Sequence, residues 1–196
     1  MFEAQLQYLQ SNGYTSITLD ELALDIKNGT TSPISKPVVL TIDDGYRNQY
    51  EYALPLLLKY HDTATFFIYT NPIGKDPKFM TWDEIKGLDA AGMVIGAHTL
   101  SHPDLSKVTL EQLRTEVLGG KQTLEDHLGK PVQHFASPFG YVSGALLSLL
   151  KDADFTTGRT TSNIGTFHSA KDVFRLTALL APRGIDNFIQ ILKYSP

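Results

Sequence analysis

Cysteine is absent from the 196 residues. Disulfides and thiolate metal sites are therefore excluded, and any metal has to be held by His, Asp or Glu. No window approaches the roughly 20 consecutive apolar residues of a membrane-spanning helix, so no membrane span is expected. The stretch MFEAQLQYLQ has no basic segment followed by an apolar one and is not read as a signal peptide. Basic runs are missing too, and the formal net charge is −4, which argues against nucleic acid as a partner. Tandem repeats and low-complexity tracts are not found. What is there is 42% hydrophobic and 19% charged, the balance of a globular chain. The length suffices for one sizeable core and is short for two, so residues 1–196 are expected to form a single domain, acting as a monomer.

Short β-rich runs alternate with amphipathic segments throughout. Phe2, Leu6 and Leu9 recur at helical spacing up to Gly13. TSITL reads as a strand, and TLDELALDIKNG as a helix from a Thr or Asp cap to Asn28-Gly29. PVVLTIDD reads as one buried strand by its β-branched content. NQYEYALPLLLKY reads as a helix that starts or kinks near Pro55. TATFFIYT and MVIGAHT are strands flanking a helix with a Thr81/Glu84 capping box that ends at Gly92. A long helix carries Leu113, Val117, Leu124 and Leu128, with Gly119 and Gly120 weakening its middle. VQHFASPF, FTTGRTT and VFRLTALL are strands, SGALLSLLKDA is a helix, and GIDNFIQILKY is a terminal helix. Strand and helix in strict alternation predict an α/β fold with a parallel sheet, open or closed into a small barrel.

Sites in parallel α/β folds lie at the carboxyl ends of strands. Three strand ends carry chemistry: Asp43-Asp44-Gly45, then His98 and His102 in GAHTLSH, then ASPFG. One turn of helix would set the two histidines, spaced i, i+4, on one face. No Glu follows the first His, which excludes the zinc-protease pattern. Two His and one carboxylate form an open ligand set for Zn²⁺, and Asp44 supplies the carboxylate. Asp43, beside the cation and off it, is then the base that takes a proton from water. A solvated turn is an ordinary reading of DDG alone and a poor one for DDG joined to HTLSH. In ASPFG, Pro138 fixes the backbone and Gly140 permits an unusual turn, so the N–H of Phe139 is placed to hold an oxyanion; an ordinary Pro-Gly turn is an equal reading. His61 is read as a helix cap, His127 as solvated, His134 as remote from the rim, and Trp82 as half-buried at a helix start.

VVLTIDDGY, GAHTLSHPDL and FASPFG, with ATFFIYT and KQTLEDHLGKPV between them, resemble the polysaccharide deacetylase family, the NodB-homology domain of carbohydrate esterase family four. The resemblance runs from Val38 to Leu180. It implies a distorted (β/α)7-type barrel and a divalent metal, Zn²⁺ first, with Co²⁺, Ni²⁺ or Mn²⁺ as alternatives. It implies hydrolysis of N-acetyl or O-acetyl groups on a polysaccharide such as chitin oligomers, peptidoglycan or poly-N-acetylglucosamine. By position, Asp43 matches the base, Asp44, His98 and His102 the metal ligands, and Phe139 the aromatic residue whose N–H completes the oxyanion hole. Metal-bound water would attack the acetyl carbonyl while Asp43 takes the proton. Pro138 and Tyr46 are assigned to substrate binding. An extracellular or cell-surface location in a bacterium follows from such substrates, with the cytoplasm as the alternative.

The chain also departs from the family. Many members have an Arg at the start of the third motif, where this chain has Ala136; that Arg orients the base. Many carry a late Leu-x-His motif whose His is the general acid, and VFRLTALLAPRG has no His. The pattern is similar to the branch acting on poly-β-1,6-N-acetylglucosamine, with Ser137 replacing that branch's aromatic. His168 is the candidate acid. Many relatives also begin with a further strand bearing a Tyr-His pair, so an N-terminally trimmed domain is one reading. Three rival readings follow: a glycan-binding domain with weak or no turnover, an O-acetyl esterase on xylan, and a non-haem Fe(II) oxygenase, which shares the two-His-one-carboxylate set but usually sits in an all-β barrel.

Overall fold

The short apolar runs become the strands of a curled parallel sheet. The structure, a computed structural model, describes residues 1–29, 33–162, 172–179, 181–182 and 184–194. Six strands, β3 (Thr41–Asp44), β4 (Thr65–Ile68), β5 (Val94–Ala97), β6 (His134–Ala136), β7 (Thr157–Ser162) and β8 (Leu176–Leu179), pair in sequence order and all in parallel. This curled half-barrel is the form that the expected distorted (β/α) barrel takes. Two shorter strands, β1 (Thr15–Ser16) and β2 (Pro37–Val38), form a separate parallel pair.

Helices cross between the strands: α1 (Phe2–Ser11), α2 (Leu19–Asn28), α3 (Leu54–Tyr60), α4 (Trp82–Ala90), α5 (Leu110–Leu128), α6 (Gly144–Asp152) and α7 (Ile185–Tyr194). Thr18, Thr81 and Thr109 close capping boxes with Glu21, Glu84 and Gln112, each satisfying N–H groups that a helix start leaves orphaned. The outer core lies between helices and sheet and includes Phe66, Phe135, Leu88 and Val117, none more than 0% exposed. A smaller core fills the inside of the curl: Leu19, Phe67, Ala136 and Leu176. Leu19 opens α2, so that helix stoppers one mouth of the sheet. Phe67 needs Gly96 beside it, because a Cβ there would stand 2.5 Å from the Phe67 ring.

Two expectations about elements change, and the one at Pro55, a start or kink near that residue, is met. PVVLTIDD is not one buried strand. Pro37–Val38 pairs with β1, Thr41–Asp44 pairs with β4, and the chain changes partner between them. β3 is only half-buried because it is the edge of the six-stranded sheet. Before Pro55 the predicted helix is a π-turn, Gln49–Ala53, and regular α-helix begins at Leu54. In VFRLTALL, residues Val173–Arg175 form a 3₁₀ turn and the strand starts at Leu176.

Candidate active site

β3 ends where its last residue leaves the extended region. Asp44 has φ 84 and Gly45 φ 84, so the chain turns as the strand stops. A regular strand would send Asp43 and Asp44 to opposite faces; the turn at Asp44 keeps both carboxylates at one rim. On the same rim, β5 runs out at Ala97 and delivers His98, which is 3% exposed. The helical turn expected between His98 and His102 is not formed. Thr99 at φ 73 and His102 at φ 59 fold the segment into a left-handed loop instead, and that loop brings the rings to 4.7 Å between centroids.

The three expected ligands converge. Asp44 Oδ1 lies 3.6 Å from His98 Nε2 and 3.5 Å from His102 Nε2, and the three donor atoms all fall within 4.8 Å of one another. Two ligands at tetrahedral Zn²⁺ distances of about 2.0–2.1 Å stand about 3.4 Å apart, so the spacing fits a bound divalent cation. His98 Nδ1 lies 2.7 Å from the Ala136 carbonyl. With Nδ1–H donating there, Nε2 keeps its lone pair for a metal. Burial pushes the His98 pKa down to about 4, against the pull of Asp43, so the ring is neutral, as a ligand must be. Burial raises the Asp44 carboxyl, His102 lowers it, and the Asp43 charge raises it again. A cation removes that repulsion.

Asp43 stands apart from the triad and is held by an arginine. Arg159 on β7 donates from its guanidinium to Asp43 Oδ2. Arg159 is 6% exposed and lies over the Phe67 ring, 5.1 Å from its centroid. It is the register partner of Ala136. The arginine missing at 136 therefore has a counterpart one strand over, at the same height in the sheet. The sequence carries one signal for it, a lone charged residue inside the Thr-rich strand TGRTTS. Asp43 Oδ1 is buried with no hydrogen-bond partner among the described residues.

Phe139 follows the end of β6 at φ 55, in a 3₁₀ turn with Pro138 buried. Its ring is 72% exposed and stands edge-on to His102 at 4.9 Å. Tyr46 stacks on Phe79 at 4.7 Å, and Tyr69 lies 5.2 Å from the His102 ring. Burial, then the charges of Tyr46, Asp44 and Asp76, push the Tyr69 hydroxyl up to about 12, so it stays a neutral donor. Beside Tyr46 an open groove of about 470 Å³ runs along Arg47, Glu51 and Lys78. His168 lies outside the described residues. His127 is exposed yet not simply solvated, since it stacks flat on Trp82 at 3.6 Å. His61 ends α3 in the left-handed conformation. His134 is buried at the other end of the sheet, on Thr157 and Asp20.

The polysaccharide deacetylase family matches residues 30–158, more than half of the chain. The putative polysaccharide deacetylase YxkH of Bacillus subtilis is 29% identical over 160 residues, 82% of this chain and 57% of that protein. A peptidoglycan-N-acetylglucosamine deacetylase of Bacillus cereus is 31% identical over 123 residues, 62% of this chain and 55% of that one. The chain thus spans a little over half the length of these relatives. The solved structure of the Streptococcus pyogenes deacetylase PplD in complex with acetate superposes with a TM-score of 0.89 at 27% identity, over 97% of this chain and 85% of that one.

Proposed function

The chain belongs to the polysaccharide deacetylase family, and we propose that it removes acetyl groups, N-acetyl before O-acetyl, from an amino-sugar polymer. The observation that carries this is the pairing of two sites 43 and 44 residues into the chain: Asp44 faces two histidine nitrogens, and Asp43 is held by Arg159 with one oxygen free. A divalent cation on Asp44, His98 and His102 would supply Lewis acidity at the scissile carbonyl. Zn²⁺ suits the donor set best, and Co²⁺, Ni²⁺ and Mn²⁺ are the alternatives.

Each step left to the chain has a residue. Asp43 Oδ1 takes the proton of the attacking water as general base. Arg159 fixes the other oxygen, so the free one keeps its aim. The Phe139 N–H donates to the oxyanion that forms on the acetyl oxygen. Tyr46 and the Phe139 ring offer the sugar apolar faces, while Pro138 fixes the turn that presents Phe139. His168 is our candidate for protonating the leaving amine.

The glycan is proposed to be peptidoglycan or poly-N-acetylglucosamine, since a relative is named for the first. Such polymers place the protein at or outside the cell surface. Among the described residues no helix is long and apolar enough to cross a membrane. Acetate release with added Zn²⁺ or Co²⁺ tests the reading on chitin oligomers, peptidoglycan, poly-N-acetylglucosamine and acetylxylan. Release from an N-acetyl substrate above an Asp43→Asn control supports it. No release from any of the four leaves the glycan-binding reading in its place, and release from acetylxylan alone leaves the O-acetyl esterase.

A further inference from the structure

Between His98 and His102 the chain passes through Thr99, Leu100 and Ser101 outside any helix or strand. Thr99 and His102 both sit at positive φ, 73 and 59, a backbone region that residues with side chains seldom occupy. A loop keeps such a shape only where its surroundings over-determine it. Inside the loop, His102 N–H donates to Thr99 Oγ1 at 3.0 Å.

The outside support comes from two sides: after β4, the N–H groups of Thr70 and Asn71 donate to the Thr99 and Leu100 carbonyls at 3.3 and 2.8 Å, and one stretch of α5 holds the loop's own N–H groups. Glu116 Oε2 accepts from the N–H of Leu100 at 3.1 Å and of Ser101 at 2.9 Å, and Oε1 accepts from the Ser101 hydroxyl at 2.6 Å. The backbone carbonyl of Glu116 also accepts from Leu100 N–H, at 3.1 Å. One turn on, a Cβ at Gly120 would stand 2.7 Å from the Thr99 carbonyl carbon, and one at Gly119 would stand 2.6 Å from Leu100 Cδ1. The two glycines that look like a weakness in the helix are where it meets the loop. His98 has its ring fixed separately by the Ala136 carbonyl; the His102 ring lies against Tyr69 and Phe139 and makes no such hydrogen bond among the described residues, so its backbone position comes from the loop.

We infer that Glu116 is a positioning residue for the metal centre, holding the loop that carries His102 in its ligating shape, with Gly120 allowing the close approach this needs. The inference rests on Asp44, His98 and His102 being the ligands. It concerns metal affinity, to which α5 contributes no ligand.

The test measures Zn²⁺ affinity by chelator competition and the Co²⁺ absorption spectrum, on the whole chain, for wild type, Glu116→Ala, Glu116→Gln, Ser101→Ala and His102→Ala. Glu116→Ala is expected to bind metal about 10–100-fold more weakly and to alter the Co²⁺ band, with turnover recovering at saturating metal. Glu116→Gln should return most of the affinity, because its amide oxygen can accept from the two N–H groups and its NH₂ can reach Ser101 Oγ. Ser101→Ala, which loses one bond and disturbs no core, should shift affinity the same way by a smaller factor. It keeps the question answerable should Glu116→Ala not fold. Wild-type affinity and spectrum in both Glu116→Ala and Ser101→Ala overturn the inference. If His102→Ala binds metal as wild type does, the ligand assignment itself falls, which is a separate failure.

Discussion

Asp43 and Arg159 are 116 positions apart in sequence and form one ion pair at the rim. Isolated carboxylates at strand ends are common; one that is anchored by a buried guanidinium through a single oxygen is not left free to swing. We expect Asp43→Asn to abolish acetate release while metal binding by chelator competition stays at the wild-type level. His98→Ala and His102→Ala should lose both. Full activity in Asp43→Asn would sink the base assignment. For Arg159→Ala we expect kcat to fall on the order of 10²-fold, the cost of a misplaced catalytic group, with metal affinity unchanged. Arg159→Lys keeps the charge but loses the planar fork, so its kcat should lie between the two. Equal kcat for all three at saturating metal would show that Asp43 needs no orienting. The contrast in legibility is plain at this scale. Asp44, His98 and His102 were readable because each sits in a short local motif. Arg159 was not, because it reaches Asp43 only through the sheet register that sets it beside Ala136.

At the scale of elements, the loops and helix ends depart most from local pattern. The i, i+4 spacing of His98 and His102 suggests a helical turn, yet the two histidines are brought together by a loop with two left-handed residues. Nothing in the spacing separates these routes to the same proximity. Gly119 and Gly120 read as weak points in α5, and their purpose is visible only against Thr99 and Leu100. By contrast, the capping box at Thr81 forms as read and Thr18 caps α2 as one of the two readings had it, because a cap depends on residues three apart and on little else. The far mouth of the sheet carries its own ionisable element. His134 at the start of β6 is 2% exposed, and burial lowers its pKa from 6.5 despite the opposing pull of Asp20 on α2. Below pH 6.5 the unfolded chain binds a proton here that the folded chain resists. Stability present above that pH is therefore lost as pH falls toward the lowered folded value. We expect the melting temperature of chelated wild type to decline between pH 7.5 and 5, and that of His134→Asn to decline less steeply. Parallel curves for the two would remove His134 from the acid limb.

The whole molecule explains why these parts meet. Six parallel strands in sequence order put every carboxyl end on one rim, so β3 supplies Asp43 and Asp44, β5 leads into the histidine loop, β6 leads to Phe139, and β7 supplies Arg159. The proposed ligands come from segments more than fifty residues apart in the chain and meet only in the folded state. A cation bound there stabilises the native state alone, and the size of that effect follows from mass action. At a free Zn²⁺ concentration 100 times the dissociation constant the gain is about 2.7 kcal/mol. For a chain of 196 residues, each kcal/mol moves the melting temperature by about 2–4 °C. Zn²⁺ should therefore raise the melting temperature of chelated protein by about 5–11 °C, reversibly with added chelator. Asp43→Asn should show the same rise, since Asp43 is not among the proposed ligands. His102→Ala should show little or none. A wild-type melting curve indifferent to Zn²⁺ would mean that Asp44, His98 and His102 do not hold the ion together, whatever activity the protein displays.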